Sequence, residues 1–211
     1  MRFLLYNVRY GAGVGARFHL PIPFAGYLKR TTCNLDCIVS FIESVKPDVI
    51  GLIEVDSGSF RSENMCQAEA IARQLGYAHV VVETKYGANR MVRKVPVLNK
   101  QGNALLTNQE ILNHHFHFFE EGFKRLVIEV QLPQVTVFLV HLSLTFFQRQ
   151  HQLQRLYQLV RQASGPVIVA GDFNVLWGDR ELDQFLAATG LVSANDQGQP
   201  SHPSGSPQRQ L

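Results

Sequence analysis

The strongest chemical signal in the sequence is an acid and an amide that follow a short apolar run. Residues 171–174 (GDFN) come directly after 166–170 (PVIVA), and such a run is typical of a buried strand. If the extended conformation continues, Asp172 and Asn174 point to the same side. The carboxylate can then hold or deprotonate a water molecule, and the amide can orient that water or donate to a phosphate oxygen. The alternative is an Asx turn that leads into the next helix.

Three more polar residues end apolar runs elsewhere in the chain. Asn7 ends the first run, Glu54 ends DVIGLIE, and His141 ends VFLVH. Each has an ordinary explanation: an Asn in a turn, a Glu in a surface ion pair, a buried His bonded to a carbonyl. Together, an acid, amides and an imidazole at the ends of apolar strands describe a cleft for a hard cation that prefers oxygen ligands.

The elements that must position these residues follow from the hydrophobic periodicity. Short apolar runs alternate with helical patterns in the first and last parts of the chain, and consecutive strand-like runs fill the middle. Strands are predicted over residues 3–8, 48–54, 77–82, 102–107, 111–119, 124–132, 135–142 and 166–170, and helices around 35–45, 68–75, 153–163 and 181–188. Pro133-Gln134 predicts a hairpin turn. The pattern favours two sheets with helices outside them, an α+β fold, over one doubly wound sheet.

Composition limits the class of protein. The 211 residues are 45% hydrophobic and carry a net charge of +3, which suits a folded chain and does not demand a nucleic-acid partner. No run of about 18 apolar residues predicts a transmembrane segment, and the N-terminus has the pattern of a strand and not of a signal peptide. Three cysteines imply no disulfide framework, so we expect a reducing, cytoplasmic location.

A glycine-rich segment near the N-terminus imitates a dinucleotide-binding motif. Residues 11–16 (GAGVGA) follow a predicted strand and fit G-x-G-x-x-G/A. That chemistry requires a helix to begin at the glycines, whereas Pro21 and Pro23 follow closely and oppose one. A glycine loop is therefore the preferred interpretation.

The motifs together resemble those of the endonuclease/exonuclease/phosphatase superfamily, the metal-dependent phosphoesterases that include pancreatic-type deoxyribonucleases, apurinic/apyrimidinic endonucleases, inositol polyphosphate phosphatases and neutral sphingomyelinases. The resemblance runs along nearly the whole chain. It rests on NVRYG, GLIEVDSGSFRS, QGNALLT, HLSL, GDFN and the C-terminal SHPSGSPQRQL.

This resemblance implies a fold and a site. The fold is a four-layer αββα sandwich, in which two mixed sheets pack face to face in a single domain over 1–211. The cofactor is Mg²⁺ or Mn²⁺, with Glu54 as its ligand and Asn7 beside it. His141, Asp172 and Asn174 match the catalytic positions, His141 facing the phosphate and the other two positioning or activating water. The implied reaction is hydrolysis of a phosphate ester, with nucleic acid as the default substrate and a lipid or inositol phosphate as the competitor.

The C-terminal motif departs from the family pattern. Ser204, Pro207 and Leu211 match S-x-x-P-x-x-x-L, but the Asp expected next and a later Ser-Asp-His have no counterpart. His202 does not match the position of the late His. We therefore expect a chain truncated at its C-terminus or a divergent member. A degenerate domain that binds phosphate ligands or a partner without catalysis is the alternative function.

Four residues are further candidates for substrate binding. Arg61 opens RSENMCQ, Lys85 and Tyr86 open a basic segment over 85–94, and Asn103 lies in QGNALLT. A basic segment with one aromatic is typical of contact with a phosphate backbone, although a solvated loop explains it equally well.

Two other motifs are open to a functional and an ordinary interpretation. His115 and His117 share one face of a predicted strand, as in a zinc site, but no third ligand lies nearby in the sequence and an exposed edge strand is the favoured explanation. The apolar segment 18–24 (FHLPIPF) is a candidate contact for a lipid or partner, and a loop folded over the core is preferred.

Overall fold

The computed structural model describes residues 1–13, 30–86, 95–122, 124–175 and 180–195. The sequence segments 14–16, 18–24, 87–94 and 201–211 discussed above lie outside these ranges. The described helices and strands are β1 (Phe3–Asn7), α1 (Leu35–Val45), β2 (Val49–Asp56), α2 (Gln67–Leu75), β3 (His79–Thr84), β4 (Gln101–Thr107), β5 (Asn113–Phe118), β6 (Leu126–Gln131), β7 (Thr136–His141), α3 (Phe146–Gln162), β8 (Val167–Asp172) and α4 (Arg180–Thr189).

The described strands form two mixed sheets of four. The first has the order β1-β2-β4-β3, with β1 parallel to β2 and the other pairs antiparallel. The second has the order β5-β6-β7-β8, with β8 parallel to β7 and the other pairs antiparallel. Between β6 and β7, the Leu132 N–H donates to the Val135 carbonyl at 3.0 Å, which confirms the predicted hairpin.

Three apolar cores separate four layers. One core lies between α1, α2 and the outer face of the first sheet, around Ile42, Leu52 and Ile71. A second joins the two sheets, where Val49 and Leu105 pack with Leu139. The third lies between the second sheet and the helices α3 and α4. The predicted αββα sandwich is therefore confirmed. None of the helices in the described ranges is long and apolar enough to cross a bilayer.

Most strand boundaries differ from the predictions by one or two residues, and α3 begins at Phe146 and not near residue 153. Two of the strand differences have a common cause. The strand predicted to end at Glu54 continues through a bulge to Asp56, and the strand predicted over 77–82 is shifted to His79–Thr84. Both differences lie on neighbours of β4, whose register with β2 and β3 decides where pairing begins and ends. Hydrophobic periodicity does not encode that register.

Candidate functional site

Two neighbouring strands of the second sheet place an imidazole next to a carboxylate. His141 ends β7 and Asp172 ends β8, and the parallel register pairs these two residues directly. The preceding pair is Val140 and Gly171. A Cβ atom at Gly171 would lie 2.0 Å from the Val140 carbonyl oxygen, so only glycine allows the strands this approach.

The first sheet supplies Glu54 through a β-bulge. The register of β2 against β4 shifts between Leu52 and Val55, and Glu54 has a φ of +60°. The Glu54 N–H leaves the regular ladder and donates to Asn103 Oδ1 at 3.2 Å. Bulges re-aim single side chains, and a non-glycine residue at positive φ persists only where its surroundings hold it. Asn103 is the described residue that does so.

His141 lies between the two carboxylates. Its Nε2 is 3.6 Å from Asp172 Oδ2, and its Nδ1 is 3.9 Å from Glu54 Oε1. The residue is 1% exposed, and neither ring nitrogen has a hydrogen-bond partner within the described part of the chain. Burial, followed by the charges of Lys85 and Lys124, lowers the pKa of His141 well below its usual value. The imidazole is therefore neutral at neutral pH.

Asn7, at the end of β1, connects the first sheet to Asp172. Its Nδ2 donates to Asp172 Oδ2 at 3.2 Å, while its Oδ1 accepts the N–H of Arg9 at 3.1 Å. The carboxamide is thereby fixed with its amino group towards Asp172. Its oxygen keeps a second lone pair, so a role beside a metal stays a prediction.

Asn174 does not continue the extended chain, and of the two alternatives that the sequence left open it is the Asx turn that forms. Its φ is +53°, and its N–H donates to Asp172 Oδ1 at 3.1 Å. Its side-chain Nδ2 donates to the Leu142 carbonyl at 2.8 Å. The Asx turn forms because it satisfies a buried carbonyl at the end of β7. Asn174 therefore orients one oxygen of Asp172 and leaves the other towards His141.

Lys85, predicted to bind substrate, lies inside the cluster. Its Nζ donates to the Tyr10 hydroxyl at 2.9 Å and is 3.6 Å from Glu54 Oε1. Its side chain is 4% exposed. Burial raises the pKa of Tyr10 well above its usual value, and the charges of Glu54 and then Tyr86 add to the effect. Tyr86 thus also lies near this end of the molecule.

Arg61 and Asn103 are more deeply placed than a substrate contact requires. Arg61 is buried, and its Nη2 and Nε donate to Asp56 Oδ2 at 2.9 and 3.2 Å. Its guanidinium carbon lies 4.9 Å from the centre of the Tyr10 ring, so Arg61 packs against that ring in a cation–π contact. Asn103 is 0% exposed. Its Nδ2 lacks a hydrogen-bond partner in the described ranges, so a donor remains next to Glu54.

Sequence reasoning missed Lys124 and Tyr10. Burial lowers the pKa of Lys124 to about 8, an effect partly offset by the negative charges of Asp172 and Glu54. Lys124 therefore belongs to the same electrostatic cluster. The only sequence signal of Lys124 is a charge just before an apolar strand, and that of Tyr10 is its place in NVRYG, a motif that assigns it no role.

Comparison with known proteins assigns the chain to a family. The model of the Endonuclease/Exonuclease/phosphatase family matches residues 4–210 of the sequence. The chain belongs to this family. The match spans all of the strands that carry Asn7, Glu54, His141 and Asp172. No curated protein matches the chain.

Solved structures similar to this family member support the fold. A functionally unknown conserved protein from Enterococcus faecalis V583 is 14% identical, with 89% of this chain and 72% of that chain covered and a TM-score of 0.64. Sphingomyelinase C from Streptomyces griseocarneus is 15% identical, with 100% and 81% covered and a TM-score of 0.63. The human Nocturnin catalytic domain with bound sulfate anion is 17% identical, with 90% and 70% covered and a TM-score of 0.58.

The side chains of the cluster fit a hard divalent cation. The side chains of Glu54 and Asp172 are 18% and 12% exposed, and both offer carboxylate oxygens. No group of three His, Cys, Asp or Glu side chains forms a ready-made metal cage within the described ranges. Mg²⁺ does not require such a cage, since one or two carboxylates together with waters and substrate phosphate usually hold it.

Proposed function

We propose that the chain is a Mg²⁺-dependent hydrolase that cleaves a phosphodiester or phosphomonoester by in-line attack of water. The observation that carries the proposal is the position of His141. A buried imidazole with no hydrogen-bond partner in the described ranges lies within 4 Å of carboxylates from both sheets. Leaving such a group unpaired costs free energy, and a bound substrate offers the missing partner.

Asp172 is the residue best placed to act on water. Its Oδ1 is held by the Asn174 N–H, and its Oδ2 faces Asn7 and His141. This leaves one oriented carboxylate oxygen that can accept a proton from an attacking water molecule. Asn7 and Asn174 hold the carboxylate in place, which contributes orientation in advance of the reaction.

His141 and the two lysines act on the phosphate. A neutral imidazole carries one N–H donor and one acceptor nitrogen, so His141 can donate a hydrogen bond to a phosphoryl oxygen. Lys85 and Lys124 add positive charge where negative charge develops. Bound through Glu54 with Asn7 beside it, Mg²⁺ would supply Lewis-acid polarisation of a phosphoryl oxygen.

Nucleic acid is the first substrate class that we propose, because the buried Lys85 and the half-buried Lys124 place positive charge beside the acids, which suits a phosphate backbone. A specific feature also favours an amphiphilic phosphate ester. Leu144, Phe146 and Phe147 follow β7 just after His141 and are 59%, 47% and 76% exposed. The two phenyl rings lie 5.6 Å apart. Such an exposed apolar group near the site suits contact with an acyl chain.

The test is hydrolysis by the full chain with and without Mg²⁺. An oligonucleotide, a vesicle containing a phosphodiester lipid, and p-nitrophenyl mono- and diesters separate the substrate classes. We expect Glu54→Gln and Asp172→Asn to lower turnover strongly at a fixed, moderate Mg²⁺ concentration, while Glu43→Gln on α1 and Asp183→Asn on α4, both exposed, leave it unchanged. Turnover that survives both site substitutions contradicts the proposal. Ligand binding without turnover in the unsubstituted chain favours the degenerate binding domain.

A further inference from the structure

A second polar cluster lies on the outer face of the second sheet, where the proposed reaction does not use it. His115 and His117 alternate along β5, and β6 pairs Glu129 opposite His115 and Val127 opposite His117. Paired residues in antiparallel strands share a face. Val127 packs in the core beneath α3, so the three polar side chains also lie on that outer face. His141, in contrast, faces the carboxylates between the sheets.

The three side chains are within reach of one another. His117 Nε2 and Glu129 Oε2 form a hydrogen bond of 2.6 Å, and the rings of His115 and His117 have centroids 6.2 Å apart. Two imidazoles on one zinc ion, with Zn–N distances of about 2.0–2.1 Å, place their centroids about 5–6 Å apart. His115 Nε2 at present faces Asn113 Nδ2 at 3.1 Å.

The surroundings favour a positive ion. The three residues line a cavity of about 260 Å³ together with Leu159, Gln162 and Ala163. These last three belong to the C-terminal turn of α3 and the residue that follows it. Free carbonyls at a helix C-terminus carry partial negative charge, and Glu129 adds a carboxylate. The cavity therefore combines nitrogen ligands, an oxygen ligand and a negative potential.

From this arrangement we infer that His115, His117 and Glu129 form a binding site for a transition-metal ion of the Zn²⁺ type, separate from the candidate active site. Imidazole nitrogens with one carboxylate are ligands that Zn²⁺ accepts, and three protein ligands leave a position for water. In the described conformation the three side chains do not form a group that could hold a metal ion, so binding requires His115 to reorient. His115 is exposed, so its ring can turn from Asn113 towards the other two residues at little cost. The third ligand comes from β6, which explains why the sequence alone did not supply it.

The test is a titration of the full chain, freed of metal, with Zn²⁺ by calorimetry and with Co²⁺ by visible absorption. We expect His115→Ala, His117→Ala and Glu129→Gln each to remove the same class of site. The loss of affinity should exceed the roughly 10- to 100-fold that removal of an outer-shell partner costs. Metal ions that bind elsewhere on the chain bind equally to every variant, so their contribution is subtracted from each titration.

The matched control is His114→Ala. His114 lies on the same strand with its side chain on the opposite face, and it is exposed. We expect this variant to bind Zn²⁺ as the unsubstituted chain does, and Zn²⁺ to raise the melting temperature of both. Far-UV circular dichroism shows whether each variant is folded. Equal binding in all variants, or no binding by the unsubstituted chain, overturns the inference. The inference is also overturned if His114→Ala loses as much Zn²⁺ affinity as the three site variants do.

Discussion

The two sheets deliver polar groups to the candidate active site in different ways. In the second sheet, β7 and β8 remain regular, and their register alone pairs His141 with Asp172. In the first sheet, β2 breaks its ladder at Glu54, which takes a φ of +60° and depends on Asn103. One half of the site is thus a consequence of strand pairing, and the other half requires a local distortion with its own support. The two halves should respond differently to substitution.

The largest effects should separate the chemistry of the two halves. We expect Asp172→Asn to lower kcat by at least about 100-fold at every Mg²⁺ concentration, because it removes the proton acceptor. Glu54→Gln should act mainly through the metal, so raising the Mg²⁺ concentration should restore part of its activity. Steady-state rates over a Mg²⁺ series measure both. If the two variants follow the same Mg²⁺ dependence, the proposed division of roles is wrong.

The distorted half should be sensitive to its supporting side chain. Asn103→Ala leaves the part-buried Glu54 N–H without its acceptor, at a cost of about 1–3 kcal/mol in the free energy of unfolding. Displacement of Glu54 should also lower kcat/KM by roughly 10-fold. Urea unfolding and initial rates give the two values. Asn108→Ala, an exposed position just after the same strand, is the control, and an equal loss there would remove the special role of Asn103.

The regular half contains one strained residue, and glycine should partly rescue it. Asn174→Ala loses the bond to the Leu142 carbonyl and keeps a side chain at a φ of +53°. We expect a destabilisation of about 1–3 kcal/mol. Asn174→Gly loses the same bond but tolerates this φ, so it should be the less destabilised of the two in urea unfolding. The reverse order would show that backbone strain is unimportant here.

The last prediction concerns the pH dependence of stability that arises from Lys124, a charge shared by both halves. The pKa of Lys124 is about 8 in the folded chain, against an ordinary value of 10.5. Between these values the unfolded chain binds more protons, so this group makes the stability rise with pH from about 8 to 10.5. Lys124→Met should remove that part of the slope in melting curves recorded across the window. Lys100→Met, at an exposed position, should keep it.

Much of the fold was predictable because buried strands and helices require apolar residues at regular spacings in the sequence. The eight strands and four helices of the described ranges appear in the sequence as apolar runs and helical spacings, and the proline in Pro133-Gln134 marks the hairpin. The bulge at Glu54 was not predictable, since it depends on which residue of β4 faces the break. Register is a property of two paired strands, and the hydrophobic pattern of one strand does not determine it.

The sequence predicted the site residues that lie at or near the ends of strands. It did not predict the site residues that lie in the segments between strands. Asn7, His141 and Asp172 end their strands, and Glu54 lies at the bulge two residues before the end of β2, so their types suggested chemistry. Lys124 and Tyr10 reach the cluster from irregular segments, and only the packing of both sheets brings them close. The turn at Asn174 was one of two alternatives, and the buried Leu142 carbonyl decided it.

Gly171 has a consequence for how this sequence can vary. A single methyl group there would strike the Val140 carbonyl and force β8 away from its neighbour. The spacing between the imidazole and its adjacent acid is therefore set by a residue that has no functional group at all. A substitution of Gly171 by alanine would change the spacing of His141 and Asp172 without altering either side chain.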